Sequence, residues 1–423
     1  MSTRPSEELA RRLTTTDAVI IGLGAMIGAG VFAAPGPAAA AAGTWLLAGL
    51  AIAALVAYAN ATSSAQLAAL YPESGGTYVY ARERLGDYWG FLAGWSFVVG
   101  KTASLAAMAL TFGAYVAEDL ARPFGIGAVV AVAVVNYLGV EKTARVTRVI
   151  VALVLAALAI VISAALLGGA ASTSNLGGEL PGGVWGVLQS AGLLFFAFAG
   201  YARLATLGEE VEDPTVTIPR AIPIALGIVV AIYAVVLVAV LLAVGPATMA
   251  DSSAPLAAAV GAGSWAALVP VVRVGGAVAA AGVLLSLLAG ISRTALAMAR
   301  RRELPSFLAA VHPRHRTPYR AEVTAALLVC AVVLTADLRG AIGFSSFAVL
   351  TYYALANASA WRLTGEERRW PRWLAGLGVV LCVLLAFTLP LVAVIGGLIL
   401  LATGSAVWFA TRSRRRSEPL SRR

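Results

Sequence analysis

Apolar residues come along this chain in blocks about 20 long, the length an α-helix needs to cross a hydrocarbon core of roughly 30 Å. The blocks predict twelve helical spans, near 17–40, 43–67, 88–117, 124–140, 146–168, 184–207, 221–244, 269–298, 321–336, 341–361, 371–389 and 391–410. Short polar connectors separate most of them, and a Leu-Pro pair at 389–390 divides the last two. The first run is too long for a cleaved signal peptide, and no small-residue cleavage site leads from it into polar sequence. The expected fold class is an all-α polytopic membrane protein, with tails at 1–16 and 411–423.

Composition agrees. Of the 423 residues, 60% are hydrophobic and only 12% charged, far from the balance of a soluble domain. The net charge of +10 gains its meaning from where the cations fall. Arg122, Arg273 and Arg339 lie on one side, and Lys101, Arg203 and Arg293 lie inside spans, which leaves 25 of the 31 Lys and Arg on the side of the N-terminus. Cytoplasmic loops carry the excess of Lys and Arg. Both termini are therefore expected in the cytoplasm, and the basic balance reflects topology, with no nucleic-acid partner.

Catalytic and metal chemistry find little footing. Cys330 and Cys382 both sit in apolar spans, with no disulfide or metal spacing. His312 and His315 sit together in the basic loop between spans 8 and 9 and read as loop residues. There is no Ser/His/Asp set, CxxC pair, HExxH or phosphate loop. No enzyme activity, cofactor or metal is expected.

The first span contains its own obstacle, "GLGAMIGAGVFAAPGP" (Gly22 to Pro37). Interior Gly and Pro weaken a helix by about 1 and 3 kcal/mol each. Broken helix inside a bilayer is tolerated only against protein or a watery cavity. A break here frees the amides of Gly28, Ala29 and Gly30 at the start of a second half-helix, whose positive dipole end suits a carboxylate. The carbonyls near Ala25 and Met26, ending the first half-helix, suit an ammonium or a cation. Close packing through small residues is the alternative. Span 6, "LLFFAFAGYARLATLGEEVEDPTVTIPRAI" (Leu193 to Ile222), repeats the pattern with a small-residue interruption at Ala197–Gly200. Spans 1 and 6 open two successive sets of five that enter the membrane from opposite sides. Paired interrupted helices in inverted halves mark the binding site of secondary transporters.

"GAMIGAGVF" in span 1 and the span-6 stretch, with its Glu-Glu, Asp-Pro and Ile-Pro-Arg-Ala-Ile, resemble the amino acid–polyamine–organocation (APC) permeases, as do "GVEKTARV" before span 5 and "SRTALAMARRRELP" after span 8. The resemblance covers nearly the whole chain. It implies the leucine-transporter (LeuT) fold: repeats at 17–168 (spans 1–5) and 184–361 (spans 6–10), with two extra spans over 371–410. By resemblance, Met26, Gly28, Ala29 and Gly30 face the backbone of an amino acid substrate, Phe196, Ala197, Phe198 and Ala199 bound it from span 6, and Phe196 or Phe198 forms an outer lid. Two positions depart from the family. Some cationic relatives carry a Lys in span 5, thought to replace sodium, where this chain has Val154. The common acid after the break in span 6 is here Ala202.

Asp17, Glu118 and Glu322 sit at span ends, so no acid occupies a span centre. Lys101 lies 13 residues into span 3, roughly 20 Å deep. An ionisable residue at such depth is a functional candidate by default. A buried Lys can release its proton, whereas an Arg effectively cannot, which makes Lys101 the proton-coupling candidate. Retention by carbonyls or a polar interface is the alternative. Arg203 and Ser286 are second-choice polar candidates. Arg203 lies nearer the cytoplasmic end, in reach of Glu209 or Glu210, and Arg293 reads as an anchor. Ser286 and Ser292 on span 8 keep sodium as an alternative ion. The expected function is a bacterial cell-membrane amino acid permease working by alternating access, favouring neutral amino acids, with protons or a counter-substrate as co-substrate. An exporter or antiporter of the same fold, an ion channel and a non-transporting amino acid sensor are the alternatives.

Overall fold

The computed structural model describes residues 13–28, 30–72, 75–139, 144–177, 180–205 and 211–417. Among them the chain is helical, with one isolated bridge between Leu13 and Val211 in place of any sheet. Seventeen α-helices follow in order: α1 (Thr15–Met26), α2 (Gly30–Ala33), α3 (Pro35–Ala42), α4 (Leu46–Leu70), α5 (Thr77–Leu85), α6 (Asp87–Val116), α7 (Ala121–Tyr137), α8 (Ala144–Leu167), α9 (Gly183–Phe198), α10 (Ala202–Ala205), α11 (Pro214–Asp251), α12 (Pro255–Gly261), α13 (Val269–Arg300), α14 (Tyr319–Thr335), α15 (Leu338–Trp361), α16 (Arg372–Thr388) and α17 (Leu391–Ser417). Ten helical segments of the described residues are long and apolar enough to cross a membrane. The twelve-span reading needs α14 and α16 as well, and each has 17 residues, about 26 Å of helix.

Local chemistry sets the ends. Thr14 and Asp17 form a reciprocal capping box at the start of α1, satisfying two otherwise orphaned backbone donors. Asp17 also pairs with Arg148 of α8 at 2.8 Å. The apolar run of span 7 begins near residue 221, yet α11 starts at Pro214. Asp213 caps it by accepting the Thr215 amide at 3.1 Å, and Pro at the first helical position needs no amide partner.

The helices pack in two groups. α4 lies against α9 and α11, and α11 against α1; α6 lies against α7, α13 and α15, and α14 against α7 and α13. On the N-terminal side, α5 joins α4 to α6 and is too polar for a hydropathy pattern to show. Its Arg82 pairs with the fully buried Glu303 after α13 and with Asp87. Tyr78 donates to Glu303 at 2.7 Å. Burial, and the Glu303 carboxylate beside it, push the Tyr78 phenol well up. Removing one member of such a buried charge pair costs about 3–5 kcal/mol, so this cluster fixes α5 to the end of α13.

Candidate functional site

The two weak stretches both break, and the breaks meet. α1 ends at Met26, where Ile27 is the C-cap and its amide still reaches Leu23 O at 2.7 Å. Helix resumes at Gly30 and continues almost directly into α3: the Ala34 amide donates to Gly30 O at 2.9 Å and the Ala38 amide to Ala34 O at 3.1 Å. In span 6, α9 ends at Phe198, a 3-10 turn covers Ala199–Tyr201, and α10 follows. A Cβ on Gly30 would stand 2.6 Å from Ala197 Cα, and one on Gly200 would stand 2.0 Å from Ala25 O. Glycine at these two positions lets the interrupted backbones touch.

Broken helices release carbonyls, and a buried carbonyl needs a donor. The Tyr233 hydroxyl, from the middle of α11, lies 2.5 Å from Met26 O and 3.1 Å from Ala197 O and donates between them. Ala199 O accepts from Lys101 Nζ of α6 at 3.3 Å and from the Tyr353 hydroxyl of α15 at 3.5 Å. Phe32 O of α2 accepts from Tyr115 at 3.4 Å. Four long polar side chains, from α6, α11 and α15, thus terminate on the two interrupted spans.

Most of the sequence-derived site residues gather here. Met26, Ala197, Ala199 and Lys101 are buried and linked as described. Gly28 faces α13, where a Cβ would meet Val283 Cγ2 at 2.1 Å. Phe198 is fully buried and packs on the Tyr233 ring, centroids 5.1 Å apart, whereas Phe196 keeps 9% exposure. Ser286 stands apart from this contact and donates to Gly282 O of its own helix at 3.0 Å, as Ser292 does to Ala289 O at 3.1 Å. Ala29, Glu209, Glu210 and the Arg203 side chain lie outside the described residues. A cavity of about 10 Å³ opens beside the first break, lined by Gly24, Ile27 and Gly28, by Val151 and Val154 of α8, and by Gly282 of α13. It is close to the least volume that holds one water. Val154 lines it without a polar group.

Tyr233 and Tyr353 escape a motif search. Their signal is a hydroxyl in the middle of an apolar run, which must find a partner when buried. Without Tyr233, two buried carbonyls lose their donor, at about 1–3 kcal/mol, where 1.4 kcal/mol is tenfold in an equilibrium. Tyr233→Phe is expected to slow amino acid exchange in proteoliposomes about tenfold or more at unchanged expression. An unaltered exchange rate would remove Tyr233 from the working site.

A bundle of apolar helices, two of them broken against each other around freed carbonyls, is the construction of a membrane carrier. The chain belongs to the amino acid permease family, whose model matches residues 13–413, and it is an amino acid transporter of the APC type. It is 58% identical to a protein of Mycobacterium tuberculosis named an uncharacterized transporter, over 96% of this chain and 92% of that one. The branched-chain amino acid permease BcaP of Bacillus subtilis is 26% identical, over 96% of this chain and 94% of its own. The chloroplastic cationic amino acid transporter 6 of Arabidopsis thaliana is 27% identical, over 86% of this chain and 68% of its own.

Proposed function

We propose that the protein is a secondary active carrier of neutral amino acids, coupled to protons or to a counter-substrate. The relatives described above differ in the substrate they are named for, branched-chain amino acids in one and cationic ones in another. The observation that favours neutral ones is Lys101, 5% exposed, with its Nζ on the span-6 break. A cationic side chain bound there would meet a like charge and, among the described residues, no carboxylate, and an unpaired buried charge is strongly unfavourable. The α2–α3 half-helix offers its positive end to the substrate carboxylate through Gly28 and Gly30, and the carbonyls of Met26 and Ala197 take the ammonium in place of Tyr233.

The same reading extends to the architecture. α1–α8 and α9–α15 form inverted repeats, and α16 and α17 add two spans to make twelve. α1, α4, α9 and α11 swing against the group built on α6, α13 and α15. Both termini lie in the cytoplasm of a bacterial cell, which the excess of Lys and Arg on that side supports.

Counterflow into proteoliposomes, with each of the twenty amino acids as competitor, tests the substrate class. Small and aliphatic neutral amino acids are expected to compete, and arginine, lysine and polyamines to fail. Tight, competitive arginine inhibition would overturn the reading. Competition by glutamate and aspartate alone would support a second reading, in which Lys101 pairs with an acidic side chain.

A further inference from the structure

A second polar site lies away from the breaks, where α7, α13 and α14 meet. Glu322 reads from the sequence as a span-end residue, but the structure buries it on the first turn of α14. It is 3% exposed, and its Oε2 has no hydrogen-bond partner. The Asn136 side chain of α7 and the Arg293 guanidinium of α13 lie beside its carboxyl. In the same corner Tyr137 packs on His312, His315 and Tyr319. α6 and the turn at 306–309 bring Val98, Leu308 and Ala309 to the neighbouring Ala321 cluster. The loop before α14, residues 311–318, is exposed or half-exposed throughout, so the carboxyl is one helical turn from water.

Asn136 leads from this carboxyl toward the breaks. Its Nδ2 donates to Leu285 O of α13 at 3.2 Å. Leu285 stands two residues from Val283, the side chain that packs against Gly28. One amide thus joins Glu322 to the stretch of α13 that supports the span-1 break. A buried carboxylate with an oxygen left unbonded is costly, and a proton removes the charge. Polar groups are drawn to an ionised carboxylate more strongly than to a neutral one, so protonation weakens the pull of Glu322 on the neighbouring Asn136 amide and leaves it to Leu285 O.

We propose that Glu322 is a proton-binding site in its own right, loaded from the face that carries the N-terminus, and that its protonation sets through Asn136 and α13 how readily the span-1 break opens. The proposal rests on the carrier reading above and adds a second titrating group to it, separate from Lys101.

Two readouts test it. Infrared difference spectra of the protein in liposomes, acidified without substrate, should show a protonated-carboxyl band that Glu322→Gln lacks. Counterflow should change several-fold with pH on the side of the N-terminus, and Glu322→Gln should hold the acidic rate at both pH values. Asn136→Ala should keep the band and lose the rate response, which covers the case in which Glu322→Gln does not fold. Lys101→Ala, and His312→Gln combined with His315→Gln, should keep the band. Absence of the band from the wild type, its survival in Glu322→Gln, or loss of the rate response only in the histidine variant would each overturn the proposal. Failure of the wild type to exchange any amino acid would defeat the carrier reading and leave the infrared result standing.

Discussion

Replacing Gly30 with leucine should abolish substrate binding while the protein still reaches the membrane. The reason is the contact between the breaks. A Cβ on Gly30 falls 2.6 Å from Ala197 Cα and 2.9 Å from Ala197 Cβ, so the obstacle is backbone that has no rotamer to change. Leucine adds three more carbons to that first one. Gly200→Ala approaches the same contact from the other side, with its Cβ 2.0 Å from Ala25 O and 2.4 Å from Ala25 C. Overpacking of this kind costs about 1–3 kcal/mol, and it falls on the alignment of Met26 O, Ala197 O and the amides of the second half-helix. Both variants are expected to lose at least about tenfold in affinity, read by scintillation proximity on purified protein, and Gly30→Leu to fall below detection. Gly290→Ala, where a Cβ meets nothing within 4 Å, is the control and should bind normally. Normal affinity in Gly30→Leu would remove the break pair from the substrate site.

The breaks were legible because their cause is local. Glycine at 28, 30 and 200 weakens helix wherever it stands. The finer geometry was less legible. Pro35 and Pro37 look like part of the interruption, but they fall in the first turn of α3, where a missing amide does no harm. The break is therefore confined to a few residues after Met26. Hydropathy located the long helices and missed α5, whose charges are needed on Glu303 and Asp87. It also placed the start of α11 late, because capping by Asp213 is polar chemistry outside the apolar run. Tyr233, Tyr353 and Glu322 were hidden for a different reason. Each matters through an atom supplied by a helix distant in the chain: Tyr233 reaches Met26 O, Tyr353 reaches Ala199 O, and Glu322 meets Asn136. The buried pair of Asn357 and Asn60, 2.5 Å apart across α15 and α4, is of the same kind. Composition and periodicity carry no information about such pairings. Lys101 stood out without its partner because a lysine at mid-span is unusual on any reading.

Lys101→Ala should uncouple the carrier. Lys101 sits near the middle of α6, in the group of helices with α13 and α15, and its Nζ donates to Ala199 O in the break of the other group. Ala199 O is neutral, and a buried ammonium with one neutral acceptor is costly to hold. A substrate carboxylate brought to the neighbouring break offsets that cost. On the proposed reading the loaded carrier therefore favours the protonated lysine, and the protonated lysine favours loading, because coupling between two ligands is reciprocal. Alanine removes the proton site, yet Tyr353 still donates to Ala199 O at 3.5 Å, so the span-6 break keeps a partner. The wild type in sodium-free proteoliposomes is expected to concentrate a neutral amino acid when an inward proton gradient is imposed. Lys101→Ala should lose that accumulation altogether and still exchange internal for external substrate. Lys101→Arg should also lose it, since a guanidinium does not release its proton. If Lys101→Ala still concentrates substrate with the gradient, Lys101 serves only to hold Ala199 O, and the coupling proton is carried elsewhere.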